Sequence, residues 1–146
     1  EMLRSLVGSE MCIRDRVCAV MDARCNQVYN ALFDCESGEV TRLCQDRALS
    51  IEDLFTELAE TPAYREKKIV FAGDGARLCF DRLQGRLEAR LAPELLRYQK
   101  ASNVAFAALR KAENGLLLTA SELMPVYLRL PQATRELNKR KGASQQ

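Results

Sequence analysis

Residues 16–33 read RVCAVMDARCNQVYNALF, and this stretch decides the fold that the rest of the chain is expected to complete. Two apolar runs, Val17 to Met21 and Val28 to Phe33, flank a polar segment from Asp22 to Gln27. Such an arrangement predicts a β-hairpin. The first run carries no charge and little alternation, which is typical of a strand covered on both faces, so we expect the hairpin inside a layered α/β core.

Composition limits the classes of protein to which the chain can belong. Its 146 residues are 47% hydrophobic and 29% charged, which suits one domain with a real core. The net charge of +2 gives no case for nonspecific binding of nucleic acid. The chain contains no histidine, so imidazole is excluded as metal ligand, general base or triad member. No apolar run of about 18 residues exists, and we expect no membrane partner.

The six cysteines have no CxxC spacing and lie mostly in apolar or strand-like surroundings. Cysteine packs as a small hydrophobic residue, and thiols stay reduced in the cytosol. We therefore expect free, buried thiols in a cytoplasmic protein, with disulfides or a metal site as the alternatives. Neither a metal nor a cofactor is predicted.

Residues 1–15 show neither a helical stripe nor strand alternation, and residues 7–15 look like translated sequencing-adaptor sequence. We expect residues 1–15 to be a non-native leader that is not part of the fold. The alternative is a short natural leader with its own helix.

Further signals extend the sheet and cover it. A turn at Ser37-Gly38 precedes a strand-like run, Val40 to Cys44, which would complete an antiparallel meander. Ser50 is a predicted N-cap, after which apolar residues recur at helical spacing up to Pro62.

A predicted strand, turn and helix follow one another directly. The uncharged run Ile69 to Ala72 predicts a buried strand, and helical spacing begins at Ala76. Between them, Gly73, Asp74 and Gly75 form a weak candidate for a phosphate-binding loop, because glycine permits close backbone approach and a helix N-terminus presents unpaired N–H groups. The alternative is a structural turn in which Asp74 caps the helix.

The remaining segments are simpler to interpret. Leu87 to Leu91 fits either a strand or the end of the preceding helix, and an alanine-rich face from Ala101 to Ala112 predicts a helix that packs closely against another element. Prolines bracket an extended segment, Ser121 to Pro131. Residues 132–146 carry four basic residues and one acidic residue, which predicts a flexible basic tail or, alternatively, an RNA contact.

Three groups of residues carry a family resemblance: Asp22-Ala23-Arg24 with Val28-Tyr29, then Gly73-Asp74-Gly75, then Pro125-Val126-Tyr127-Leu128-Arg129 with Gln132-Ala133. In order and spacing they are similar to the second half of the bacterial tRNA threonylcarbamoyladenosine biosynthesis family TsaB (YeaZ). The resemblance extends over roughly residues 16–137, and the lobe itself is expected over residues 16–131.

The resemblance implies a lobe of the actin-like, RNase H-like α/β fold, with a mixed sheet whose antiparallel meander is flanked by helices. It implies a non-enzymatic accessory subunit that serves as a scaffold for a catalytic TsaD-type subunit, together with a TsaE-type ATPase and, indirectly, tRNA. The main TsaD interface is expected in the family's first lobe, which has no counterpart in this sequence. The face toward that lobe would be exposed, and self-association is expected.

The resemblance also marks Asp22, Arg24, Tyr29, Tyr127 and Arg129 as family-motif or interaction candidates, with no catalytic residue among them. We expect Asp22 and Arg24 either to pair with each other or to face a partner. Tyr127 is expected to pack on the sheet, and Arg129 to meet a carboxylate such as that of Asp22.

Three rival functions stay open. A catalytic paralogue would share the fold, but its metal-binding histidines cannot occur in this chain. An ATP-binding actin-like or sugar-kinase fragment would depend on Gly73-Asp74-Gly75 alone. A small RNA-interaction module would depend on the basic tail.

Overall fold

A computed structural model of the chain describes residues 14–36, 39–65, 67–83, 85–129 and 134. The predicted turn at residues 37–38, most of the expected leader and, apart from Thr134, the tail lie outside these residues. The first strand begins at Arg14, so the last two residues of the expected leader belong to it.

The described residues form six strands and five helices. The strands are β1 (Arg14–Asp22), β2 (Gln27–Glu36), β3 (Glu39–Arg42), β4 (Arg47–Ser50), β5 (Ile69–Ala72) and β6 (Ala89–Leu91). The helices are α1 (Ile51–Glu60), α2 (Pro62–Arg65), α3 (Ala76–Leu83), α4 (Glu94–Arg97) and α5 (Ala101–Glu113). The sequence did not predict β4, α2 or α4.

The sheet is mixed, and β1 lies at its centre. Its order is β3-β2-β1-β5-β6, with β4 paired to β2 as well. Strand β1 runs antiparallel to β2, with Val17 opposite Phe33, and parallel to β5, with Val17 opposite Val70. The pairing of β1 with β2 confirms the predicted hairpin. Strand β3 runs antiparallel to β2, with Arg42 opposite Phe33, which confirms the meander.

Helices α1 and α3 cover one face of the sheet. Successive side chains of a strand point to opposite faces, so alternate residues of β1 and β2 reach this side. The cluster that they form with the two helices is buried and apolar, and its removal from water is the main driving force for folding. Its members are Cys18, Val20, Val28, Leu32, Ile51, Leu54, Leu58, Ile69, Phe71, Ala76, Cys79 and Leu83.

The opposite face of the sheet is only partly covered. Helix α4 lies over β5, where Leu96 packs against buried Val70 and Ala92. Met21, near the end of β1, is 40% exposed. The expectation that the first strand is covered on both faces is therefore wrong at this end, where the Met21 side chain reaches solvent.

Helix α5 forms where the alanine-rich face predicts it but does not pack. None of its residues is buried, and Val104 and Leu109 are 67% and 54% exposed. Helical periodicity indicates which side of a helix is apolar, whereas the element that covers that side must come from elsewhere in the structure. The prediction of close packing is thus wrong within the described part of the chain.

Five cysteines are free thiols, as predicted: Cys18, Cys25, Cys35, Cys44 and Cys79. The prediction that they are buried holds only for Cys18 and Cys79, whereas Cys25 is exposed and the other two are half-buried. Across the described ranges, no helix has both the length and the apolar character needed to cross a membrane. Within these ranges, cysteine and acidic side chains form no cluster of three or more that is suited to a metal ion.

The N-cap of α1 provides a test of the local fold. Ser50 Oγ accepts a hydrogen bond from the Asp53 N–H at 3.0 Å, which satisfies one of the unpaired donors at the start of the helix. We expect Ser50→Ala to lower the free energy of unfolding by about 1 kcal/mol in urea titrations. Ser102→Ala, on exposed α5, is the control, and equal losses for both variants would contradict the cap.

Buried thiols provide a pH-dependent test. Burial raises the pKa of the Cys79 thiol from 9.0 to about 11. The folded state therefore holds this proton more tightly than the unfolded state, and the stabilisation is complete below about pH 9 and lost as pH rises through about 11. Between these limits, we expect the free energy of unfolding to fall by up to about 3 kcal/mol more in the wild type than in Cys79→Ala. The free energy of unfolding is measured by urea titration at each pH. The same dependence on pH in the wild type and in Cys79→Ala would contradict the raised pKa of the Cys79 thiol.

Candidate functional site

Two turns meet at the carboxyl ends of the parallel strands β1 and β5. The hairpin turn, Asp22 to Gln27, joins β1 to β2, and the glycine turn, Gly73 to Gly75, joins β5 to α3. Ligands of open α/β sheets bind beyond the carboxyl ends of the strands. These two turns and their contacts are therefore the candidate site.

Gly73 lies directly against the backbone of β1. Its φ is +110°, and a Cβ on this residue would be only 1.9 Å from the Val20 carbonyl oxygen. Its N–H donates a hydrogen bond to the Arg97 carbonyl oxygen at 2.7 Å. Only glycine combines this backbone conformation with such close approach.

Gly75 makes the second contact of the glycine turn with β1. Its N–H donates to the Val20 carbonyl oxygen at 3.2 Å, and a Cβ on Gly75 would lie 3.0 Å from the Asp22 nitrogen. The backbone of β1 therefore determines the path of the glycine turn.

Asp74 also reaches toward β1. Its Oδ1 accepts a hydrogen bond from the Asp22 N–H at 3.2 Å, which ties the glycine turn to the hairpin turn. The bond described for the Asp74 carboxylate is thus to β1, and it holds the glycine turn against the hairpin turn.

The glycine turn offers little to a phosphate. The N–H groups of Gly73 and Gly75 already donate to carbonyl oxygens of the protein, and Asp74 brings a carboxylate to the same place. A phosphate would have to displace two backbone hydrogen bonds and approach a like charge. Of the two interpretations that the sequence left open, this geometry favours a structural turn.

The hairpin turn has three consecutive non-glycine residues in the left-handed region. Arg24, Cys25 and Asn26 have φ values of 64°, 53° and 58°. This conformation costs a non-glycine residue about 1–2 kcal/mol. Asn26 supplies compensating contacts, since its carbonyl accepts from the Ile51 N–H at 3.1 Å and its Oδ1 accepts from Arg82 Nη2 at 2.9 Å. The turn is therefore tied to both covering helices.

Asp22 and Arg24 pair with each other. The Arg24 N–H donates to Asp22 Oδ1 at 2.7 Å, and the two charged groups are 3.7 Å apart. The Arg24 side chain is 87% exposed, so the ion pair contributes little to stability. Its guanidinium stays accessible to another molecule.

The structure separates the other candidate residues. Arg129 Nη1 donates to the Ala23 carbonyl oxygen. The predicted partner, a carboxylate such as that of Asp22, is therefore wrong, because the observed partner is a backbone carbonyl of the hairpin turn. Tyr127 is 86% exposed, so the prediction that it packs on the sheet is wrong, because Leu128 and not Tyr127 faces the sheet. Tyr29 is half-buried on β2.

An apolar groove of about 500 Å³ lies on the sheet face opposite α1 and α3. Strands β1, β2 and β5 supply its floor, and its sides include residues 96–99 together with Asp46, Gly73, Val126 and Leu128. The floor consists of Val17, Ala19, Met21, Tyr29, Ala31, Phe33 and Ala72. This groove is a second candidate site, suited to apolar protein surface.

The sequence analysis missed Arg97, which supports the glycine turn. Its carbonyl accepts the Gly73 N–H, and its Nε donates to the Ala92 carbonyl oxygen at 3.1 Å. Pro93 followed by Glu94 is a helix-start signal that could have located α4. No sequence signal shows that this short helix would place a carbonyl against Gly73.

These elements define a mixed α/β fold, with a central hairpin strand, parallel neighbours on one side and two covering helices. Two solved structures from Pseudomonas aeruginosa share the fold. An uncharacterized protein with similarity to peptidase YeaZ is 23% identical, with a TM-score of 0.58 over 88% of this chain and 56% of its own. YeaZ itself is 24% identical, with a TM-score of 0.57 over 78% of this chain and 50% of its own.

The chain therefore spans about half the length of each of these proteins. No protein-family profile and no curated protein matches its sequence. At these identities, the likeness shows a common fold.

The close approach of Gly73 to β1 predicts a large stability effect. We expect Gly73→Ala to lower the free energy of unfolding by more than about 3 kcal/mol, because the methyl group would overlap the Val20 carbonyl. Gly85→Ala is a matched control, since Gly85 also has positive φ but no atom within 4 Å of its Cβ position. It should lose only about 1 kcal/mol. If urea titrations show similar losses of unfolding free energy for Gly73→Ala and Gly85→Ala, the close contact of Gly73 with the Val20 carbonyl is ruled out.

Proposed function

We propose that the chain is the second lobe of a TsaB-type accessory subunit with an actin-like fold, which takes part in forming threonylcarbamoyladenosine in tRNA. It acts as a scaffold for a catalytic TsaD-type subunit and performs no catalysis by itself. The shared fold with the YeaZ structure supports this proposal, as do the motifs around Asp22 and Arg129.

One observation carries the non-catalytic part of the proposal. The glycine turn, which would have to hold a nucleotide phosphate, has its Gly73 and Gly75 N–H groups bonded to backbone carbonyls. Its acidic residue, Asp74, is bonded to the backbone of β1. These contacts favour a turn that stabilises the lobe over one that binds ATP.

The rival functions have less support. A catalytic paralogue with metal-binding histidines does not fit a chain without histidine. The RNA-interaction alternative depends on residues 132–146, almost all of which lie outside the described part of the chain.

Protein partners suit the exposed candidates better than a small ligand does. The Arg24 side chain is 87% exposed and Tyr127 as a whole is 86% exposed, so both extend into solvent. An arginine and a tyrosine are typical anchors of protein interfaces. In the proposed role, the chain works in the cytoplasm with the TsaD-type subunit and a TsaE-type ATPase, and contacts tRNA indirectly.

The proposal can be tested by pull-down of purified TsaD-type and TsaE-type subunits. The chain should bind the TsaD-type subunit more weakly than full-length Pseudomonas aeruginosa YeaZ does, because its main interface is proposed in the other lobe. Arg24→Glu should weaken binding by about tenfold, which corresponds to the loss of one interface anchor. Glu60→Lys, at the exposed end of α1, is the control and should bind normally.

Two results would contradict the proposal. One is binding of the TsaD-type subunit by the chain as tightly as by full-length YeaZ, because the main interface is proposed in the other lobe. The other is peptidase or ATPase activity of the purified chain without any partner, because the proposed lobe carries no catalytic residue.

A further inference from the structure

The apolar groove opposite α1 and α3 contains one positive charge that no carboxylate of the described residues balances. Two charged side chains, Asp46 and Arg97, are part of its lining. Asp46 already has a partner, because its Oδ1 lies 2.7 Å from Arg42 Nη1. Arg97 makes no ion pair within the described part of the chain, since its guanidinium donates only to the Ala92 carbonyl oxygen, through Nε at 3.1 Å and Nη2 at 3.0 Å. The groove therefore carries a net positive charge.

The guanidinium of Arg97 has hydrogen-bond donors left for another molecule. Its Nη1 donates to no described residue and is accessible to solvent. The residue is also held in place, because its carbonyl accepts the Gly73 N–H at 2.7 Å. Guanidinium N–H groups bind an anion more strongly than they bind a neutral acceptor. With a single nitrogen available, Arg97 suits a ligand that carries one negative charge.

The floor of the groove presents apolar side chains, with its backbone groups already paired. Val17 and Met21 lie four residues apart on β1, so the floor extends about 13 Å along this strand at about 3.3 Å per residue. The backbone of β1 is paired with β2 and β5. An extended peptide buried on this floor would leave its own backbone polar groups unpaired, which costs free energy, whereas a hydrocarbon has no such groups. The floor therefore suits a hydrocarbon, and Arg97 adds a requirement for one negative charge.

We propose that the groove binds a small amphipathic carboxylate, such as a medium-chain fatty acid, with its carboxylate on the Arg97 guanidinium and its hydrocarbon part on the floor. The groove volume of about 500 Å³ lies within the range of small-molecule sites, about 300–1,000 Å³. The extended carbon skeleton of decanoate is about 11 Å long at C–C bonds of about 1.5 Å, which matches the length of the floor. This inference goes beyond the proposed function and does not depend on it.

Isothermal titration calorimetry with decanoate and its neutral analogue decanol tests the contact with Arg97. We expect one decanoate to bind per chain, and decanol to bind at least about tenfold more weakly, because it lacks the charge. Arg97→Gln should weaken decanoate binding by about tenfold and leave decanol binding unchanged, whereas Arg97→Lys, which keeps the charge, should retain most of the affinity. Arg77→Gln removes the same charge from exposed α3 and is the matched control, which should bind normally. Circular dichroism checks that each variant folds.

A second pair of variants and NMR test the floor of the groove. Met21 is 40% exposed, so Met21→Glu adds a negative charge to the floor without disturbing the core. This variant should bind decanoate about tenfold more weakly than the neutral control Met21→Gln, because like charges repel. In the wild type, decanoate should shift the amide resonances of Ala19, Met21 and Ala31 and leave those of α1 unchanged. The proposal is overturned by an absence of saturable binding, by equal affinities for decanoate and decanol, or by shifts confined to residues outside the groove.

Discussion

The pairing of β1 on both of its edges is the constraint on which the other elements depend. Its antiparallel partner β2 provides the hairpin turn, and its parallel partner β5 provides the glycine turn, so both turns end at the same edge of the sheet. The ladder between β1 and β5 ends with Ala19 opposite Ala72, and the bond from the Gly75 N–H to the Val20 carbonyl continues the connection beyond it. This contact leaves no space for a side chain at Gly73.

The same contact bears directly on function. A turn can cradle an anion only when its N–H groups point away from the protein with no other partner. In this chain, the N–H groups of Gly73 and Gly75 already donate hydrogen bonds to backbone carbonyl oxygens that help to hold the fold together. What the edge of the sheet still offers is side-chain surface, with Arg24 almost fully exposed. This glycine turn is therefore a structural turn, and in the proposed function the exposed Arg24 contacts another protein.

Local sequence patterns predicted most of the sheet and helices α1 and α3, because β-branched runs, the Ser50 cap and the glycine turn act over short distances. They could not predict which surfaces would be covered. Alternation placed Tyr127 and Arg129 on one side of an extended segment, but whether that side meets the sheet depends on tertiary packing. Likewise, the alanine face of α5 shows where the helix is apolar and says nothing of its partner. The contact of Gly73 with the Arg97 carbonyl joins distant segments, and only the folded chain reveals it.

The most direct test of a purely structural role for the glycine turn is amide hydrogen exchange at Gly73 and Gly75, followed by NMR with and without magnesium ATP. If both N–H groups are bonded to backbone carbonyls, they should exchange slowly, and millimolar nucleotide should change neither their exchange rates nor their chemical shifts. The contradicting result is rapid exchange without nucleotide, with protection and shifted resonances when nucleotide is added, because it would show that the glycine turn is an open phosphate loop.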